Sequence, residues 1–113
     1  MNPSDIVLAH FPLGGSGGRK LRPVLVLTGP LGTVPEHVVA YISSVVPTHL
    51  MPTDLVLDPT IPAFTSTKLK ALSIVRLHKL SAIHSRDAIR RLGRLAPVMM
   101  SEVLVRLKLV FGL

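Results

Sequence analysis

The stretch Gly17–Leu27, "GGRKLRPVLVL", sets three cations within four residues directly against an aliphatic run. A solvated charge run normally stands away from the core, so this junction marks a loop entering a buried strand. Pro23 suits the first strand position, where its missing N–H costs least. The valines and leucines that follow, "VLVLTG" (24–29), suit a central place in a sheet. Upstream, "PLGGSGGRK" (12–20) holds four glycines and a serine in nine residues and reads as a hairpin-type loop. Before it, "DIVLAHF" (5–11) reads as a first strand that Pro12 ends.

Outward from this hairpin, "VVAYISSVV" (38–46) reads as a third strand, too apolar for an exposed edge. Leu55 to Leu57 form a fourth, and "SIVRLHKLSAI" (73–83) is a strand pair or one bent strand. Segments 30–37 and 61–73 read as irregular connections from their Pro, Gly and Thr content. Ser85 is placed to cap a helix over "RDAIRRLG" (86–93), with Asp87 in its first turn and Gly93 at its stop. Pro97 opens a longer helix whose apolar positions include Val98, Val103, Leu104, Leu107 and Phe111. Its apolar arc is so wide that the helix is either buried on several sides or completes an interface. Short strands followed by helices imply a mainly β fold with C-terminal helices, a small barrel-like sheet closed by a C-terminal helix. A plain aliphatic sandwich gives nearly the same pattern.

The length, 113 residues, fits a single domain over 1–113. With 48% apolar but only 4% aromatic residues, the core must be aliphatic. A mean hydropathy of +0.51 implies that some apolar surface meets a partner. The formal charge of +7 draws polyanions or an acidic protein. The absence of cysteine excludes disulfides, thiolate catalysis and Cys-ligated zinc, and suits a cytoplasmic setting. The N-terminus lacks the pattern of a signal peptide, and no apolar run is long enough to span a membrane. Five histidines without HExxH or similar spacing make no metal site, and no cofactor is expected.

Two positions carry candidate chemistry. Arg22 stands between a glycine-rich loop and a strand start, where it is either solvated or fixed by the strand while facing a pocket under the loop. A guanidinium suits the second duty, because its planar fork pairs with phosphate oxygens and stays charged. Ser43 and Ser44 interrupt the third strand, and an inward hydroxyl there is either satisfied by the sheet or turned toward a cleft. From Lys68 to Arg94 there are eight basic residues against one acid, Asp87, a second patch for a polyanion. Tyr41 and Phe64 are the candidate aromatic platforms. His37 and His49 are expected in loops and His84 before a helix, all solvated.

"DIVLAHFPLGGSGGRKLRPVLVL" resembles the opening of the MazF/PemK family of toxin endoribonucleases, "VVAYISSVV" its third strand, and "LSIVRLHKLSAIHSRDAIRRLGRL" its later strand and short helix. The resemblance implies an SH3-like barrel with C-terminal helical elements, acting as a homodimer. It implies metal-independent cleavage of single-stranded RNA, messenger RNA included, and neutralisation by a cognate antitoxin protein. Carried over by residue, the catalytic arginine of the Arg-Pro pair is Arg22. The assisting threonine falls on Ser43, a departure that keeps the hydroxyl but loses the methyl restraining its rotamer. Such cleavage uses the ribose 2′-hydroxyl as nucleophile and needs a proton acceptor, for which His10 and His78 are the candidates. Gly17, Gly18, Arg19, Lys20, Arg76 and Lys79 are the expected RNA-binding positions. A non-catalytic barrel module, including a degenerate toxin homologue, is the alternative.

Overall fold

The computed structural model describes residues 1–12 and 19–113, with Arg19 in its backbone only. Its strands are β1 (Asp5–Pro12), β2 (Arg19–Val26), β3 (Glu36–Ser43), β4 (Asp54–Leu57), β5 (Ser73–His84) and β6 (Ala88–Arg94), followed by helix α1 (Pro97–Phe111). They form one sheet in the order β4-β5-β3-β2-β1-β6, every neighbouring pair antiparallel. The chain is therefore mainly β with a C-terminal helix, as its run of short strands predicts. The sheet stays open, with β4 and β6 as its edges. No helix among the described residues is long and apolar enough to cross a membrane.

The strands read as continuous apolar runs because the sheet buries both faces. On one face Val24 and Val26 join Val7, Ala9, Phe11, Val39 and Ile83. On the other, Leu25 joins Ile6, Ile42, Leu55, Val75 and Leu77 beneath Val103 of α1. Pro97 starts α1, and Gly112, left-handed at φ 70°, ends it. Leu113 N–H then donates to the Lys108 carbonyl at 2.8 Å. Val103 is wholly buried, whereas Val98, Leu104, Val105, Leu109 and Phe111 are each more than half exposed. The wide apolar arc is thus covered on one side only, not on several.

Three boundaries differ from expectation. The basic cluster does not stop short of β2 but lies in it, since β1 runs on to Pro12 and pairs Phe11 with Lys20 and Pro12 with Arg19. The third strand ends at Ser43, whose hydroxyl accepts from Val45 N–H at 3.1 Å and turns the chain. Segment 61–73, expected to be irregular, contains a 3-10 turn at Pro62–Thr67. Of the two readings of segment 73–83, one bent strand is found. Ala40 faces Leu80 but Tyr41 faces Arg76, so Leu77, His78 and Lys79 bulge from β5.

The helix expected over 86–93 does not form. His84 instead caps a single 3-10 turn, Ser85–Asp87, accepting from Arg86 N–H at 3.0 Å. Residues 88–94 then pair with β1 as a strand. The spacing of Ile89 and Leu92 is compatible with a helix, but the free edge of the central strand β1 offers a ladder that local propensity cannot match. Gly93 is also not a helix stop. A Cβ there would collide with the backbone carbonyl oxygens of Ser66 and Thr67. Its bare Cα lets the 3-10 turn lie directly on β6. Gly93→Ala is therefore expected to destabilise the fold by about 2 kcal/mol, an overpacking cost readable as a lower urea midpoint at unchanged slope.

Candidate active site

Antiparallel register aligns side chains in rows across the sheet, and one row carries the candidate site. Val7 of β1 faces Val24 of β2, which faces Tyr41 of β3. Tyr41 faces Arg76 of β5, which faces Asp54 of β4. Arg22 stands two residues from Val24 and opposite Ala9, so it projects from the same face in the next row. Extending the β2–β3 register by two residues sets Arg22 opposite Ser43. Strand spacing and rise place the Arg22 and Arg76 backbones on the order of 12 Å apart, within reach of one phosphodiester for two long side chains.

Arg22 is half-buried, and its Nε, shielded from solvent, has no hydrogen-bond partner among the described residues. Such a donor is costly to leave unmade. Lys20 shares the alternation of Arg22 and is exposed. Arg76 makes a two-pronged ion pair with Asp54, Nε to Oδ1 at 3.1 Å and Nη2 to Oδ2 at 3.3 Å. His78, displaced by the bulge, brings Nδ1 to 3.9 Å from Asp54 Oδ1. Burial and the neighbouring Arg76 and Lys79 lower the His78 pKa below its ordinary 6.5, against the opposing pull of Asp54. The imidazole is consequently neutral at neutral pH and free to take a proton. Lys79 stands over the Tyr41 ring at 5.6 Å, and Phe11 stacks on the same ring at 5.4 Å.

The remaining candidates divide. Ser43 is only 8% exposed, and its hydroxyl also donates to the Val45 carbonyl at 3.2 Å, a long bond. His10 faces Leu21 in the β1–β2 register and so projects from the face opposite Arg22. Gly17, Gly18 and the Arg19 side chain lie outside the described residues. Phe64 is no platform, because it packs against the core beneath α1. His37 is not solvated: it is 4% exposed on β3, with Nδ1 at 3.0 Å from the Thr28 carbonyl. Nor is His84, half-buried, merely solvated, since its ring caps the turn before β6. Among the described residues no group of three or more His, Asp or Glu is disposed to hold a metal ion.

The sequence reading missed Asp54. It is a lone acid at the head of a four-residue strand, and only the pairing of β4 with β5 brings it to Arg76. The second basic patch also resolves differently from its sequence. Lys68, Arg91 and Arg94 line an open groove of about 1090 Å³ between β6 and the start of α1. There Arg91 and Arg94 share Asp5, at 3.3 and 3.9 Å, so part of the charge is already neutralised. The face of Arg22, by contrast, holds a guanidinium nitrogen with no partner among the described residues, on β2, with β3 between it and the β5 strand that carries His78. That combination can bind a phosphodiester, neutralise its charge and accept a proton.

Comparison with known proteins agrees with this fold. No curated protein matches the chain in sequence. A mycobacterial endoribonuclease in complex with its cognate antitoxin superposes with a TM-score of 0.75 at 16% identity, covering 100% of this chain and 96% of the other. The Mycobacterium tuberculosis toxin MazF-mt6 gives 0.73 at 23% identity, covering 96% and 97%. MazF from Deinococcus radiodurans gives 0.72 at 17% identity, covering 100% and 97%. The family model of PemK-like, MazF-like toxins of type II toxin-antitoxin systems matches residues 2–111, and with that span the chain belongs to this toxin family.

Proposed function

We propose that the chain is a metal-independent endoribonuclease that cleaves single-stranded RNA, messenger RNA included, at the sheet face carrying Arg22. The observation that supports it most is the solvent-shielded Nε of Arg22, without a partner among the described residues, on a face that also presents Arg76, whose partner Asp54 lies 3.9 Å from the imidazole of His78. In this reading the phosphodiester lies between the two arginines. Neutral His78 removes the proton of the ribose 2′-hydroxyl, whose oxygen attacks the adjacent phosphorus. The bond to the 5′-oxygen of the next nucleotide breaks, leaving a 2′,3′-cyclic phosphate. With His10 on the opposite face, the departing oxygen takes its proton from solvent. Arg22 stabilises the charge that builds on the non-bridging oxygens, as preorganised donors do in a shielded site.

Ser43 assists by turning its hydroxyl from the long contact with the Val45 carbonyl to a phosphate oxygen, while still accepting from Val45 N–H. Lys20, Lys79 and the loop residues Gly17, Gly18 and Arg19 extend the contact along the RNA backbone, adding affinity and salt dependence. The protein works as a homodimer in the cytoplasm and is held inactive by a cognate antitoxin. The exposed apolar residues of α1 and the +7 charge suit such partners. The engaged hydroxyl of Ser43 favours a second reading, a degenerate toxin homologue that binds without cutting.

The test is incubation of the purified chain with a long, unstructured RNA in EDTA. Discrete cuts ending in cyclic phosphate, absent with the corresponding DNA, are the expected result. A folded, antitoxin-free protein that leaves several RNAs intact sinks the enzyme reading in favour of the binding one.

A further inference from the structure

We propose that Asp54 is a positioning residue for the cleavage, holding Arg76 at the working face and setting a negative charge beside His78 through one carboxylate that solvent does not reach. This rests on the reading of function above. The Asp54 side chain is 0% exposed. Besides its two bonds from Arg76, it accepts from Met51 N–H at 2.9 Å, and its Oδ1 stands 3.9 Å from His78 Nδ1. Its backbone carbonyl accepts from Arg106 Nε of α1 at 3.0 Å. The head of a short edge strand is thereby tied to the preceding loop, to β5 and to the C-terminal helix.

Stability alone does not explain a charge in this place. A buried ion pair contributes little that well-packed apolar side chains would not supply, because both ions must be stripped of water. What the pair does provide is preorganisation. An arginine left free would lose rotamer freedom on meeting RNA, a cost that a fixed fork avoids. Asp54 occupies the Nε and Nη2 side of the guanidinium, so Nη1 is directed away from the carboxylate. The charged groups acting on His78 are Asp54 from β4 and Arg76 and Lys79 from β5. Of these only Asp54 favours the protonated ring, so one carboxylate both steadies a cation and partly offsets the burial and the Arg76 charge that lower the proton affinity of the base.

The experiment is the full-length D54N variant, assayed on unstructured RNA from acid to neutral pH, with the His78 ring titrated by NMR in the same protein. The expected result is a fall in kcat of about 10²-fold, the scale of a small misplacement at a reacting centre. The acid limb of the rate profile and the His78 titration should both move to lower pH. A merely structural carboxylate would lower the melting temperature and leave both unmoved, which overturns the proposal; so does a D54N protein that cuts as fast as wild type. Should D54N not fold, R76Q replaces it. With that cation gone and the carboxylate left to His78, the titration must move to higher pH, and an unmoved titration overturns the proposal. Failure of wild type itself to cut RNA strikes the reading of function instead, and the NMR titration needs no cleavage to be read.

Discussion

Arg22→Ala is expected to slow RNA cleavage about 10³-fold, the upper range for removing one preorganised donor from a developing oxyanion. The fold should survive. Among the described residues Arg22 Nε has no partner to orphan, and the neighbours of Arg22 in the strand, Val24 and Val26, keep their packing. Arg22→Lys should recover only part of the loss, because an ammonium keeps the charge but not the planar fork. Single-turnover cleavage with circular-dichroism melts reads both quantities at once. Unaltered cleavage by a folded R22A protein would remove Arg22 from the chemistry altogether.

His78→Gln is the second large effect, about 10²–10³-fold at neutral pH, the usual worth of a positioned general base. Its more telling signature is the pH profile. Burial first, then the nearby Arg76, lower the His78 pKa below 6.5. A base works in its deprotonated form, so the wild-type rate should climb with pH, pass its half-maximum below 6.5 and level off by neutrality. H78Q has no proton to lose and should be flat over that range. A profile that instead falls as pH rises would assign His78 the acid's role. One that keeps its acid limb in H78Q would place the base elsewhere.

These two residues show how unevenly the site is written in the chain. Arg22 is legible, because an arginine between a glycine-rich loop and a proline-led aliphatic strand is a local arrangement. Its face is legible as well, since side chains alternate along a strand. His78 is visible as a candidate but not as a neighbour of Asp54, 24 positions earlier in the sequence. The pairing of β4 with β5 makes that contact, and His78 lies in the bulge of β5 that follows Arg76. His10 shows the reverse: it is as plausible as His78 along the chain, yet one step of alternation sends it to the other face.

By itself the sequence determined the class of the fold, an aliphatic, mainly β domain ending in a helix. Runs such as "VLVL" and "VVAYI", short, β-branched and bounded by Gly and Pro, suit strands covered on both faces, and Pro97 opens the helix by its own backbone preference. Only the tertiary structure decided the fate of residues 86–93 and the surroundings of the candidate base. The free ladder of β1 outbids a marginal helix, because unpaired N–H and C=O groups along a central strand cost more than one weak local preference. The site's electrostatics likewise follow from which strands become neighbours, and that is settled by burying the whole sheet, not by any stretch within it.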